Sequence, residues 1–181
     1  MAANHTEYSA ITDGLAVDYL WDHLKKNGGV TKQQAIELTK TGLLSVSNLL
    51  EQVIADNNKQ LKRSNEDGED FNDHSDAKYM RARSINHSKR NGKNIQRTWC
   101  SLSSASVRNK KGALRIFITY MDENIDKIAY RMFVLPYPIW KKRMTKTGVS
   151  FSFSSKDGSL TESTAKRWGE FEVNTVKGLS A

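Results

Sequence analysis

The chain has a single cysteine, Cys100, and two prolines in 181 residues. One cysteine excludes an internal disulfide and a zinc site built on several thiolates, which leaves a packed thiol in a reducing, intracellular compartment as the expectation. The only prolines, Pro136 and Pro138, follow a β-rich run and are placed to stop it. No window approaches the roughly 18 apolar residues of a membrane-spanning helix. The opening residues, MAANHTEYSA, lack a basic stretch followed by an apolar one. These absences point to a soluble, cytoplasmic protein with no membrane partner. Acidic residues are also missing from one long stretch: after Asp76 none occurs until Asp122.

Between Tyr79 and Met121, within that acid-free stretch, stand ten basic residues: Arg81, Arg83, Lys89, Arg90, Lys93, Arg97, Arg108, Lys110, Lys111 and Arg115. Immediately before it, the eleven residues Glu66 to Asp76 (EDGEDFNDHSD) carry six carboxylates. The net charge is +8 and the pI near 9.5, a balance that favours a polyanionic partner. An acidic cluster able to hold a divalent cation, followed by a cationic stretch, points to metal-dependent chemistry on nucleic acid.

The length suits one domain with a real core. Three helices are expected first. Thr12 or Asp13 can cap one that runs to about Lys26, with Leu15, Tyr19, Leu20 and Leu24 at helical spacing and Gly28-Gly29 behind it. Thr31 can cap a second, which Gly42 ends. Ser45 or Ser47 starts a third, whose stripe is Val46, Leu49, Leu50, Val53 and Ile54. The second and third resemble a helix-turn-helix only weakly.

After Asn57 the helical period disappears. In DAKYMRARSI a two-residue alternation predicts a strand that projects Asp76 and Lys78 from the same face. Residues 86–111 read as an exposed, DNA-facing stretch with a short helix or strand near Ile95 to Val107. Leu114 to Tyr120 and Ile128 to Leu135 flank a turn at Asp122 to Asp126 and predict a hairpin. Ile139 and Trp140 are expected to cover a core edge, and β-prone runs return at Val149 to Phe153 and Phe171 to Val176. The fold class expected is α/β (α+β), one nuclease-type domain over 1–181: helices in 1–57, a core with a mixed central sheet in 58–144, and a β/loop part in 145–181.

Hydrolysing a phosphodiester requires shielding of a highly charged transition state and a nucleophile made from water, and Mg²⁺ on carboxylates contributes to both. Two or three protein oxygens suffice, because Mg²⁺ keeps several waters. Asp76 and one of the preceding acids could supply them. Lys78, on the same face, could orient the water and favour hydroxide.

Asp70-Phe71-Asn72-Asp73-His74-Ser75-Asp76-Ala77-Lys78 resembles the acid…(D/E)xK site of the PD-(D/E)xK nucleases. KKGALRIFITY…KIAYRMFVLPYPIW resembles the core hairpin of type II restriction endonucleases. The resemblance spans about Glu51 to Trp140. It implies a Mg²⁺-dependent, sequence-specific endonuclease for double-stranded DNA, acting as a homodimer on a near-palindromic site. By that resemblance Asp76 is the second metal-binding acid, Lys78 the catalytic lysine and Asp70 the first acid, with Asp67 and Asp73 as alternatives. Glu51 matches an acid that supports the metal.

DNA contacts are expected from Arg81, Arg83, Asn86, Lys89, Arg90, Lys93, Asn94 and Arg97, the arginines and lysines mainly on phosphates and the amides on adenine edges. A base-reading loop at Ser84 to Arg97 and a loop at Ser154 to Arg167 are the expected approaches to the duplex. Other readings compete: a solvated acidic loop with Lys78 an ordinary strand lysine; a non-catalytic DNA-binding regulator using Thr31 to Ile54; a repair nuclease; or an HNH-type site at Asp73-His74, Asn94-Ile95-Gln96 and Asn109. Trp140, Trp168 and Phe151 read as packing residues, and His23 and His87 as surface or hydrogen-bonded ones.

Overall fold

The structure, a computed structural model, describes residues 5–24, 45–64, 68–90, 93–122, 127–154 and 157–180. Within them, the side chains of 5–11, 21, 23–24, 84–97, 121–122 and 127–128 are not described. The expected helix at Thr31 to Gly42 and most of the turn at Asp122 to Asp126 lie outside the described residues.

Helix α1 runs from His5 to Leu24 and α2 from Val46 to Asn57. The Ser45 side chain caps α2 by accepting a hydrogen bond from the Asn48 N–H at 3.1 Å, as its position before an apolar stripe predicts. Val46, Leu49, Leu50, Val53 and Ile54 are all buried, at the i, i+3, i+4, i+7, i+8 positions that place one helical face against a sheet. The start of α1 differs from expectation. Nothing in His5 to Ile11 breaks a helix, so α1 begins before Thr12. Asp13 is turned to Tyr79 and Arg81 instead of capping. The buried stripe is Thr12, Ala16 and Leu20 with Val17, and Leu15 is exposed.

Six strands follow: β1 (Asp76–Arg90), β2 (Lys93–Ser103), β3 (Leu114–Asp122), β4 (Lys127–Leu135), β5 (Gly148–Ser154) and β6 (Glu172–Val173). They form one mixed sheet in the order β5-β2-β1-β3-β4-β6, so the protein is of the α+β class. The pair β1–β3 is parallel and the others are antiparallel. The hairpin read from the sequence is β3–β4. Every residue from Leu114 to Tyr120 is buried, which is why this strand reads as a near-continuous apolar run: both its faces are covered.

One face packs on the helices through Ala77, Phe117 and Met132 against Leu20, Leu50 and Ile54. The other encloses Met80, Ile116, Ile118, Phe133, Phe151 and Trp168. Laid flat, β4 and β5 would be four strand spacings apart in this order, about 19 Å. Yet the Phe133 and Phe151 ring centroids are 4.7 Å apart, and those of Tyr120 and Phe153 5.1 Å. The sheet therefore curls around its second core.

Short helices close the curl: α3 (Ser104–Val107), α4 (Tyr137–Arg143), α5 (Glu162–Trp168) and α6 (Val176–Leu179). Pro136 and Pro138 end β4 and open α4. Trp140 does more than cover an edge: it is fully buried and donates its indole N–H to the Gly112 carbonyl at 3.0 Å. Two expectations fail in the tail. Only Glu172 and Val173 form a strand within Phe171 to Val176, because Thr175 caps the turn of α6 through the Gly178 N–H. Ser154 to Arg167 is no open loop: Leu160 bridges back to Phe153 and α5 buries Thr164 and Trp168.

Candidate active site

Asp70 is brought to the start of β1 by a folded loop. Arg63 and Phe71 form an antiparallel bridge, the Asn72 N–H donates to the Lys62 carbonyl at 2.9 Å, and Phe71 is fully buried as the anchor. The far side of the loop lies on the chain before β3. The Asp76 N–H donates to the Ala113 carbonyl at 3.0 Å. A Cβ on Gly112 would stand 1.9 Å from the His74 carbonyl oxygen, so only glycine permits this approach. His74 itself has φ 62°, a turn conformation uncommon outside glycine.

The result is a compact charged set. The Asp70 carboxylate accepts the Ala77 N–H at 2.8 Å, and the Asp70 N–H donates to Asp76 Oδ1 at 3.2 Å. Lys78 Nζ stands 3.6 Å from Asp70 Oδ2 and 3.8 Å from Asp76 Oδ2. Strand alternation puts Asp76 and Lys78 on one face, as read from the sequence. Lys110 Nζ is nearer, 3.0 Å from Asp76 Oδ2. That oxygen is buried and receives no aligned hydrogen bond, so Lys110 acts on it by charge and proximity. A carboxylate 1 % exposed, as Asp76 is, costs several kcal/mol to bury unless cations compensate.

Two further acids flank the set. Glu51, on α2, is bound by Arg63 at 2.7 Å. Its burial and then the charge of Asp70 push its pKa up, and Arg63 and Lys78 pull it back only in part. Asp73 faces Arg115. Burial pushes its pKa up, but the Ser75 hydroxyl and N–H and the Arg115 guanidinium outweigh that and hold the carboxyl below its usual range. Arg115 is not part of the cationic surface expected from the sequence. It is 4 % exposed, reaches Asp73 at 3.1 Å, donates to the Ser75 hydroxyl and lies over the Phe71 ring.

The donor set suits a hard cation. Asp70 and Asp76 offer adjacent carboxylate oxygens, one of them buried without an aligned donor, and Mg²⁺ needs few protein ligands. Among the described residues no three His, Cys, Asp or Glu side chains gather as a metal-holding group, so Glu51 stands beside the pair without completing a triad. Asp67 lies outside the described residues. Of the HNH-type set, His74 Nδ1 is 2.7 Å from Glu69 and Asp73 is engaged by Arg115, while the side chains of Asn94, Ile95 and Gln96 lie outside the described residues.

The expected DNA-contacting residues are placed differently from the site. Arg81 and Arg83 alternate with Lys78 and fall on the opposite face, where Arg81 is 3.5 Å from Asp13. The expected loop at Ser84 to Arg97 is mostly a hairpin instead: β1 pairs β2 from Arg83↔Trp99 to Arg90↔Lys93. Pairing with β3 stops at Ala82 and pairing with β5 begins at Arg97, so Ser84 to Arg90 and Lys93 to Gln96 belong to a two-stranded ribbon. Asn86 stands opposite Gln96 there, and Lys89, Arg90, Lys93, Asn94 and Arg97 lie along it. Their side chains lie outside the described residues. Sequence reasoning missed Lys110 as a site residue. Its one signal was a basic pair just before the strand that neighbours β1. No protein-family model, curated protein or solved structure matches the chain.

Proposed function

We propose that the protein is a Mg²⁺-dependent endonuclease for double-stranded DNA, built around a PD-(D/E)xK-type core and acting as a type II restriction enzyme. The observation that carries this reading is the buried Asp76 carboxylate standing with Asp70 and Lys78 at one strand start, with a second lysine against it. Asp70 and Asp76 would hold the cation. When bound, Mg²⁺ offsets charge on the scissile phosphate and makes a water acidic enough to attack it near neutral pH. Lys78, within 4 Å of both carboxylates, would orient an attacking water and favour its loss of a proton. The Ala77 N–H fixes the Asp70 carboxylate, so this acid is set before the substrate arrives. The ribbon of Arg83 to Trp99 is of a kind that the major groove admits, and a homodimer would present two such sites to the two strands.

A second reading is a DNA-binding protein without catalysis. It draws on the pairing of two carboxylates with two ammonium groups, a set already near neutral. Incubation with mixed plasmid DNA in Mg²⁺ separates the readings: discrete fragments indicate a restriction enzyme, a smear a non-specific or repair nuclease, and intact DNA a binder. For the first reading, Asp76→Ala and Lys78→Ala each abolish cleavage while binding in Ca²⁺ persists.

A further inference from the structure

The residues expected from the sequence to contact DNA, Arg81 to Arg97, are badly placed to hold the phosphates beside Asp76. Arg81 and Arg83 leave the opposite face of β1. Asn86 is ten residues along the strand from Asp76, about 33 Å at ordinary strand rise. That is about one turn of duplex. Whatever grips the backbone at the site comes from another element.

Lys110 identifies it. Its ammonium touches Asp76 and donates to the Gly68 carbonyl, so the loop after α3 borders the site directly. In the same loop Arg108 and Lys111 are exposed, and among the described residues neither has an acidic partner. Helix α4 continues the surface. Lys141 Nζ donates to the Arg108 carbonyl at 2.5 Å, and Trp140 binds Gly112. Lys142, next on α4, is exposed and also lacks an acidic partner among the described residues. Solvated cations without countercharges keep their full attraction for a polyanion, and phosphates spaced along a strand match a row of them.

Resting on the nuclease reading, we infer that Arg108, Lys110, Lys111 and Lys142 form the track by which one DNA strand's phosphates enter the site, separate from the β1–β2 ribbon. The test is fluorescence anisotropy of the intact protein with a labelled DNA duplex in Ca²⁺ over a range of NaCl concentrations. For Arg108→Glu/Lys111→Glu, the slope of log affinity against log salt becomes shallower by about 1.8, some 0.9 for each lost phosphate contact. Lys142→Glu alone shifts it by about 0.9, and carries the test if the loop variant does not fold. Lys177→Glu, an exposed charge on α6, whose Val176 and Leu179 pack in the core with α1 and α2, leaves the slope unchanged. A wild-type slope in the Arg108/Lys111 and Lys142 variants overturns the track, as does an equal change in the Lys177 control. The nuclease reading fails separately, if Asp76→Ala still cleaves, and that result leaves the slopes untouched.

Discussion

Lys110 Nζ stands 3.0 Å from the buried Oδ2 of Asp76, nearer than Lys78 Nζ at 3.8 Å. The lysine of the D-x-K tripeptide is therefore the more distant of the two cations on that acid. It is instead shared with Asp70, whereas Lys110 reaches Asp76 and the Gly68 carbonyl. This division gives the two lysines separable roles.

Lys110→Met removes the nearer countercharge from a buried carboxylate and should destabilise the fold by roughly 1–3 kcal/mol, less than a fully unpaired charge would because Lys78 remains. A divalent cation can replace the lost charge, so Ca²⁺ should raise the thermal midpoint more for this variant than for wild type. Equal Ca²⁺ shifts in both proteins would show that Lys110 does not balance Asp76.

Gly112→Ala places a methyl group against the His74 carbonyl oxygen and the Ser75 nitrogen. Both obstacles are backbone, so the acidic loop must move. We expect a loss of about 1–3 kcal/mol in urea unfolding, with the proposed cleavage falling as Asp70 leaves its place. A variant as stable as wild type would refute the close approach.

Asp73→Asn weakens the partner of a buried guanidinium and should cost roughly 1–3 kcal/mol at pH 7. The sign of its pH dependence follows from the lowered pKa of Asp73. The stability it contributes is present above the ordinary aspartate range and lost as pH falls through the folded value. Wild type and variant should converge in acid, and denaturant unfolding at pH 7 and pH 3 checks this.

Glu51 behaves in the opposite sense. Its raised pKa means that the folded state favours the protonated form, so its contribution is present below the ordinary glutamate value and fades as pH rises through the folded one. Stability differences between Glu51→Gln and wild type should move in the variant's favour from pH 4 to pH 7. A difference independent of pH would remove Glu51 from the groups whose titration is linked to folding.

Short-range patterns carried most of the secondary structure. Ser45 with the stripe of α2, the alternation after Asp76 and the β3–β4 hairpin were all legible, because one side chain or a short period decides each. The start of α1, the β1–β2 ribbon and the chain after β5 were not, although β5 itself matches the run read at Val149 to Phe153. Asp13 is drawn to Tyr79 on β1, Asn86 meets Gln96 only through strand pairing, and Thr175 closes a turn that propensity alone reads as strand.

At the site the same boundary holds. Residue order alone placed the acids before a strand and put Asp76 and Lys78 on one face, since a strand repeats every two residues. It also showed the long acid-free basic run. Which cations reach which acids was decided in three dimensions. Parallel pairing of β1 with β3 brings the Arg108 to Lys111 loop to Asp76, and burial turns Arg115 from a surface charge into the clamp on Asp73. A charge can be counted along the chain, but its partner depends on distance and desolvation, and those exist only once the sheet has curled and the loop has closed against it.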